Sequence, residues 1–245
     1  MFESIRGQRV IIVGGTSGMG LAAARMLLEA GASVVVAGRD GKKLDEALAT
    51  LGAGAEGETL DASSPEAVQA FFERQGSFDH LVLSLSGAKG AGGFRDLPLD
   101  DLRGGFEAKF WPQLLCAQAS LKTLNPAGSL TFITAISARR AAPGLSGLAA
   151  INAALEAMVP NLALELAPLR VNAVSPGIVN TAWWNWMPEE QRAAAFRQYA
   201  GQIPVGRVGE PEDLAQSICY LIGNSFVTGT VLEVDGGQRL RSEGL

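Results

Sequence analysis

Short apolar runs alternate with alanine-rich helical stretches along most of the chain. Buried strands are predicted by RVIIVGG, SVVVAGR, HLVLSLSG, SLTFITAIS, RVNAVSPG and the late TVLEVDGG. Helices are predicted by GLAAARMLLEAG, GKKLDEALATLG, SPEAVQAFFERQ, the segment 99–124 and LAAINAALEAMVPNLALELAP. Apolar strands joined by crossover helices are typical of a parallel sheet that is buried on both faces. The pattern therefore predicts an α/β protein with a parallel sheet, and no linker or repeat marks a domain boundary.

Composition narrows the classes of function. The net charge of −5 and the absence of a lysine or arginine cluster argue against a nucleic-acid partner. No apolar stretch reaches the length of a membrane span and the N-terminus lacks a signal-peptide core, so no membrane association is expected. Two isolated cysteines, Cys116 and Cys219, suit a reducing cytoplasm and indicate neither a disulfide framework nor a metal site. The single histidine, His80, begins an apolar run and is interpreted as a strand-end residue rather than a catalytic base.

A glycine-rich turn follows the first predicted strand. In VIIVGGTSGMGLAAA, Gly14, Gly18 and Gly20 lie between that strand and the first helix. Small residues let the backbone turn sharply and approach a phosphate, and the helix N-terminus offers N–H groups to a pyrophosphate. Many glycine turns bind nothing, but a position directly after a strand and at the start of a helix favours a dinucleotide site.

The end of the second predicted strand bears on which dinucleotide is bound. NAD-binding sites usually place an acidic residue there for the adenine ribose hydroxyls. This chain instead has Gly38 and Arg39, with Lys42 and Lys43 close behind. The guanidinium of Arg39 has the charge and the geometry to bind a 2′-phosphate. The alternative is a solvated surface arginine beside Asp40, which can cap the next helix. We expect NADP(H) rather than NAD(H).

Taken in order, these motifs resemble those of the short-chain dehydrogenase/reductase family over essentially the whole chain. The resemblance implies a single doubly wound α/β domain of the Rossmann type over residues 1–245. GGTSGMG resembles the family's glycine motif, and LDASS resembles its adenine-contacting segment. LSLSGAKG takes the place of its Asn-Asn-Ala-Gly motif and departs from it except at Gly87. RVNAVSPGIVNT closely matches the segment that closes over the nicotinamide, and GTVLEVDGG resembles the last strand and its turn. The cofactor-binding residues that follow are Gly14, Thr16, Ser17, Gly18, Met19, Gly20, Arg39, Asp61, Ala62, Ser86, Gly87, Asn152, Pro176, Gly177, Val179 and Thr181.

The resemblance also implies four catalytic positions, and this chain differs from the family at each of them. Family members use a tyrosine that donates a proton, a lysine four residues later, a serine, and an asparagine on the preceding helix. When AALEA and LALELAP are aligned, the tyrosine position falls on Leu148 and the lysine position on Asn152. The serine position falls on Ala135 and the asparagine position on Lys109. Lysine and asparagine thus trade places, which makes Lys109 and Asn152 the candidate catalytic residues.

Three functions remain open from the sequence. We favour an atypical NADP(H)-dependent oxidoreductase that reduces an already electrophilic quinone, imine or activated enone, with water, a substrate group, Lys109 or Tyr199 as the proton source. The second is a catalytically silent NADP(H)-binding or scaffolding protein. The third is non-redox chemistry, such as elimination or isomerisation, in the same pocket. The alternative for Lys109 is an exposed lysine on an amphipathic helix, and for Tyr199 an aromatic that packs the lid.

The segment after Thr181, AWWNWMPEEQRAAAFRQYAGQIPVGR, corresponds to the family's mobile lid. Its Trp183, Trp184 and Trp186 either line an apolar substrate pocket or pack the lid against the body or a second subunit. The resemblance implies a homo-oligomer, commonly a tetramer. The helix predicted over 148–167 is apolar on nearly every side, as expected if it contacts both the sheet and a second subunit, although the sheet alone is the alternative. A small-molecule substrate is the other expected partner.

Overall fold

A computed structural model describes residues 3–87 and 89–240, so the predicted bounds of 1–245 extend beyond the described residues. Its strands are β1 (Arg9–Val13), β2 (Ser33–Gly38), β3 (Ala55–Thr59), β4 (Phe78–Leu83), β5 (Leu124–Ile133), β6 (Arg170–Pro176) and β7 (Val231–Val234). They are parallel and form one sheet in the order β3-β2-β1-β4-β5-β6-β7. The sheet grows away from β1 in both directions, which places a switch point between β1 and β4. This confirms the predicted Rossmann-type fold.

Helices cover both faces of the sheet. The side chains of β1 alternate between two apolar clusters, with Ile11 and Val13 in one and Val10 and Ile12 in the other. Both faces of the strand are therefore buried, which explains why the central strands are apolar at successive positions. The α-helices of the described residues are α1 (Gly18–Glu29), α2 (Gly41–Leu51), α3 (Pro65–Gln75), α4 (Leu99–Gly105), α5 (Trp111–Ser120), α6 (Ser146–Glu165), α7 (Glu189–Gln202) and α8 (Pro211–Gly223).

Some elements differ from those that the hydrophobic pattern predicts. β3, with the sequence AEGET, lies at an edge of the sheet and is largely exposed, so it lacks the apolar run that marks the other strands. The helices α7 and α8 are likewise not predicted. The helix expected over 99–124 ends at Ser120, and Phe106–Phe110 form a π-helix between α4 and α5. That interruption positions a residue of the site described below.

Among the described residues, α6 is the helix whose length and hydropathy meet the requirements of a membrane span. The expectation that no apolar stretch reaches the length of a membrane span is therefore wrong. Leu155, Val159 and Ala163 of this helix are buried in the apolar cluster that also contains Val171 of β6, as in the core helix of a globular domain. Leu164 is 81% exposed, so the sheet covers only part of α6.

Three titratable groups outside the site are buried and structural. His80 lies within β4, where its Nδ1 is 2.8 Å from Ser129 Oγ, and burial lowers its pKa to about 4. The thiols of Cys116 and Cys219 are buried and unpaired, and burial raises the pKa of each to about 12. Neither thiol has the thiolate character of a nucleophile at neutral pH.

Candidate active site at the carboxyl edge of the sheet

The predicted cofactor residues lie at one edge of the sheet. They follow the ends of β1, β2, β3 and β4, or continue from the end of β6. Because the strands are parallel, their carboxyl ends share that edge, and the switch point between β1 and β4 opens a crevice there. Asn152 reaches the same edge from α6. The predicted set is thus assembled from segments that are far apart in the sequence.

The glycine turn after β1 leaves no room for a side chain at Gly14 or at Gly20. Gly14 has a φ of 86°, and an added Cβ would lie 2.4 Å from the Ser84 carbonyl oxygen. A Cβ on Gly20 would lie 2.3 Å from the Gly14 carbonyl oxygen. Ser17, which precedes α1, makes no side-chain capping bond, so it leaves the first N–H groups of the helix to another acceptor. A cradle of bare backbone at a helix N-terminus fits a pyrophosphate.

Arg39 is exposed at the end of β2 and lies near Asp61. Hydrogen bonds from the Ser63 hydroxyl and backbone N–H, together with the Arg39 charge, hold the pKa of the Asp61 carboxyl below its usual range. Asp40 caps α2, where it accepts a hydrogen bond from the Lys43 backbone N–H at 3.2 Å. Asp40 thus has the capping role that the surface-arginine alternative gives it, and Arg39 is exposed beside Asp61 at the end of β2.

The segment after β6 closes this edge from the other side. A Cβ on Gly18 would lie 3.4 Å from Thr181 Cγ2, so the glycine turn and this segment nearly touch. A Cβ on Gly177 would lie 2.8 Å from the Cα of Asp235, at the end of β7. Val179 is buried. The segment is therefore held between the glycine turn and β7.

Lys109 lies within the π-helix, and its side chain is buried. It is 8% exposed, and its Nζ donates to the Thr134 carbonyl oxygen at 2.9 Å. Burial lowers its pKa to about 8, and the nearby Glu156 carboxylate opposes this effect. A π-helical turn changes which side chains point inward, and such turns recur at functional sites. The alternative of an exposed lysine is wrong.

Asn152 lies on α6 and keeps one buried atom without a partner. Its Nδ2 donates to the Leu148 carbonyl oxygen at 2.9 Å and to Ser137 Oγ at 3.1 Å. Its Oδ1 is buried and has no hydrogen-bond partner. An unpaired buried acceptor costs about 1–3 kcal/mol, so this atom is suited to a ligand hydroxyl or a water.

The candidate catalytic positions converge on the few residues that follow β5. Lys109 bonds to Thr134, Asn152 bonds to Ser137, and Ala135 lies between those two partners in extended conformation. Leu148, in the first turn of α6, is half-buried and accepts from Asn152 through its backbone. An amine and an amide thus flank one short segment, in which Ala135 contributes no exchangeable proton.

Comparison with known proteins identifies the family. A family profile described as enoyl-(acyl carrier protein) reductase matches residues 13–239. The chain belongs to the short-chain dehydrogenase/reductase family. A short-chain dehydrogenase/reductase of Gibberella fujikuroi is 28% identical over 97% of this chain and 97% of its own length.

Two solved members of the short-chain dehydrogenase/reductase family share both fold and length with this chain. The reductase/Diels-Alderase MalC of Malbranchea aurantiaca has a TM-score of 0.90 and 27% identity, over 98% of this chain and 99% of its own. An NADPH-bound oxidoreductase of Pseudomonas aeruginosa, described as containing an atypical catalytic centre, has a TM-score of 0.88 and 28% identity. That match covers 96% of this chain and 98% of the solved one.

In this short-chain dehydrogenase/reductase, the tryptophan segment lies between β6 and α7. Trp184 is its centre, since its Nε1 donates to the Val179 carbonyl oxygen at 3.0 Å and its ring packs on Trp183 and Tyr199. Tyr199 therefore packs within the segment, as its alternative interpretation expects. Trp183 and Trp186 are 38% and 66% exposed, which leaves two aromatic surfaces uncovered.

Two buried polar residues at this edge, Glu156 and Gln113, are not among the site residues predicted from the sequence. Glu156 accepts hydrogen bonds from Thr134 Oγ1, Ser175 Oγ and Arg139 Nε at 2.9, 2.8 and 2.8 Å. Gln113 is fully buried, and its Nε2 donates to backbone carbonyls just beyond β4 and at the end of β5. A carboxylate in the middle of the apolar stretch that forms α6 is the signal that singles out Glu156.

Proposed function

We propose that this chain is an NADP(H)-dependent oxidoreductase whose site uses Lys109 and Asn152 where other family members use asparagine and lysine. The observation that carries the proposal is the burial of Lys109, whose amine is held beside Ala135 by the Thr134 carbonyl. A buried charge lowers stability, so a lysine in this place is better explained by chemistry than by packing. Ala135 and Leu148, at the family's serine and tyrosine positions, have no side-chain proton to exchange.

The carboxyl edge supports NADP(H) as the cofactor of a single domain over residues 1–245. The turn at 14–20 suits a pyrophosphate, and Arg39 suits a 2′-phosphate beside Asp61. Asn152 Oδ1 is the buried acceptor that a ribose hydroxyl would satisfy. NADPH, when bound, supplies the hydride. The NADPH-bound relative from Pseudomonas aeruginosa supports this assignment.

In the proposed reaction, Lys109 donates the proton to the substrate. With a pKa of about 8, its amine keeps a proton at neutral pH and releases it more readily than an ordinary lysine. Without a tyrosine at 148, the substrate has to be electrophilic already, which favours an apolar or aromatic carbonyl, a quinone or an imine. The exposed rings of Trp183 and Trp186 offer an apolar surface for such a molecule.

A catalytically silent NADP(H)-binding protein of the same fold is the second candidate. The side chains of Ala135 and Leu148 favour it, since loss of an acid–base group slows such reactions about 10²–10⁴-fold. Non-redox chemistry in the same pocket is the third candidate. The relative named as a reductase/Diels-Alderase supports it, because one fold hosts more than one reaction.

We further propose a cytoplasmic homo-oligomer, with a tetramer as the expected form. Leu164 on α6 is 81% exposed, and Trp111 at the start of α5 is 46% exposed. In a homo-oligomer that pairs these two helices, a second subunit would cover both residues.

A panel assay separates the three functions. The chain is titrated with NADPH by calorimetry and then incubated with ketones, quinones, imines and activated enones. We expect NADPH to bind and its absorbance to fall with at least one compound. Binding without consumption of NADPH on the whole panel supports the silent protein, and conversion of a compound at constant NADPH absorbance supports non-redox chemistry. No binding of NADPH or NADH to folded protein would contradict all three.

Replacing Arg39 with alanine is expected to weaken NADPH binding about 10- to 100-fold and to leave NADH binding unchanged. A charge-assisted contact to a phosphate contributes about 1.5–3 kcal/mol, and NADH has no 2′-phosphate. Calorimetry with both dinucleotides measures the ratio. Lys42→Ala is the control, because Lys42 is exposed on α2 and its Nζ lies 3.9 Å from Glu46 Oε1. An equal loss for both dinucleotides would show that Arg39 does not read the phosphate.

A further inference from the structure

Thr134 connects Lys109 to a buried carboxylate. Its carbonyl oxygen accepts from Lys109 Nζ at 2.9 Å, and its hydroxyl donates to Glu156 Oε1 at 2.9 Å. Glu156 is 7% exposed and follows Asn152 by four residues on α6, so the two share one face of that helix. The carboxylate is thus built into the same edge as the two candidate catalytic residues, although no substrate or cofactor has to touch it.

The charge of Glu156 is only partly balanced. Arg139 Nε donates to its Oε2 at 2.8 Å, but Arg139 Nη1 also lies 3.1 Å from Glu233 Oε1 on β7. The Arg139 side chain is 43% exposed, so water screens much of its charge. Glu233 pairs in turn with Arg239 at 2.7 Å. Arg139 is therefore shared between two carboxylates, and Glu156 still acts on the Lys109 amine as an opposite charge.

A buried carboxylate is not needed to fill this part of the core. Replacing a buried charge by an apolar side chain of similar size is often neutral or stabilising. What the carboxylate does supply is an opposite charge near a buried amine, and such a charge favours the protonated form. Burial alone pushes the Lys109 amine toward the neutral form, and Glu156 is the neighbouring group that opposes it.

We propose that Glu156 is a positioning residue for Lys109. Through Thr134 it fixes where the ammonium points, and its charge, partly balanced by Arg139, extends the pH range in which Lys109 keeps its proton. This role rests on the proposed function, in which Lys109 donates a proton to the substrate.

The titration of Lys109 tests the proposal without requiring turnover. Protein labelled with ¹⁵N-lysine is titrated by NMR, and the Nζ signal that disappears in Lys109→Met identifies the residue. Glu156→Gln is expected to move the Lys109 midpoint about one pH unit lower, because the opposing charge is gone. Arg139→Gln is expected to move it higher, because a positive charge that opposes the effect of Glu156 is removed.

Two further variants separate charge from packing. Glu156→Asp retains the charge and is expected to leave the midpoint close to that of the unchanged protein. Glu233→Gln removes a carboxylate that contacts Arg139 but not Thr134, and a much smaller movement is expected there. Equal midpoints in Glu156→Gln and the unchanged protein, or movement of Glu156→Gln and Arg139→Gln in one direction, would overturn the proposal. If Glu156→Gln does not fold, the direction in which Arg139→Gln moves the Lys109 midpoint is still measurable, because Arg139 is half-exposed.

Activity gives a second readout and separates this inference from the proposed function. As pH rises, kcat/KM is expected to fall through the Lys109 midpoint, and this fall occurs at lower pH in Glu156→Gln. Midpoints that move as expected in a protein that consumes no NADPH would uphold the role of Glu156 and reject the oxidoreductase. Turnover whose pH profile ignores Glu156→Gln would reject the role of Glu156 and keep the oxidoreductase.

Discussion

Lys109→Met is expected to lower NADPH-dependent turnover about 100- to 10,000-fold on any compound that the unchanged protein reduces. This range is typical of the loss of a positioned acid–base group. Methionine has a similar length and no charge, so the core around the π-helix remains filled. Steady-state kcat/KM values for the two proteins give the ratio. Near-normal turnover would show that the proton comes from elsewhere, for example from Tyr199 or water.

The same substitution is expected to stabilise the fold at pH 7. The Lys109 pKa is about 8 in the folded chain and 10.5 in the reference state, a difference that corresponds to at most about 3 kcal/mol. Below pH 8 both states are protonated, and the folded state carries this penalty in full. As pH rises from 8 to 10.5 the unfolded state binds more protons, so stability rises and the penalty is relieved.

Denaturant unfolding at several pH values measures this effect. Lys109→Met is expected to gain roughly 1–3 kcal/mol at pH 7 and to lose the rise in stability between pH 8 and 10.5, allowing for the lost bond to Thr134. Lys122→Met is the control, because Lys122 is exposed and its replacement is expected to change stability by less than about 0.5 kcal/mol. A destabilised Lys109→Met would show that the contacts of the ammonium stabilise the fold by more than its burial costs.

Gly14→Ala is expected to destabilise the chain by about 2–5 kcal/mol and to weaken NADPH binding at least about tenfold. The left-handed backbone at φ 86° disfavours a side chain by about 1–2 kcal/mol, and the contact with the Ser84 carbonyl adds about 1–3 kcal/mol. Relief of that contact moves the turn and misplaces backbone N–H groups that would bind phosphate, each worth about 1.5–3 kcal/mol. Denaturant unfolding and NADPH calorimetry measure the two losses.

Gly52→Ala is the matched control for Gly14→Ala. Gly52 has a φ of 73°, but nothing lies within 4 Å of the added Cβ, and it follows α2 rather than the glycine turn. Its loss of stability is expected to reflect the backbone alone, with unchanged NADPH affinity. If the two variants bind NADPH equally well, the turn after β1 is not the phosphate site.

The central fold follows from the sequence because its strands are buried on both faces. The runs RVIIV and SVVVAG are apolar at almost every position, and they became β1 and β2. The strand β3 was not predicted, because it lies at the edge of the sheet and its side chains are largely exposed, so it lacks an apolar run. The π-helix at Phe106–Phe110 was not predicted, although Pro112 follows it and has no N–H to donate to the carbonyl four residues earlier. A proline at that place indicates an interruption of the helix but does not specify a π turn.

The site was predictable where it rests on local rules. The glycine turn and the capping role of Asp40 both follow from short-range backbone geometry. The direction of Lys109 was not predictable, because it depends on a carbonyl 25 residues away on another element. The contacts of Glu156 were not predictable either, because they depend on how α6 packs beside β5 and β6. A carboxylate isolated among apolar residues was the signal in the sequence that could have indicated it.

The ion pairs that hold Arg139 continue through Glu233 to Arg239, which also binds Asp235 at 2.8 Å. Ion pairs therefore connect Arg239, among the last described residues, to Glu156, the carboxylate next to Lys109. Because these ion pairs involve the last described residues, an affinity tag for the Lys109 titration belongs at the opposite end of the chain. A tag at the opposite end, ahead of Ser4, which anchors to the Gly223 carbonyl, lies before the amino end of β1 and away from the reacting edge.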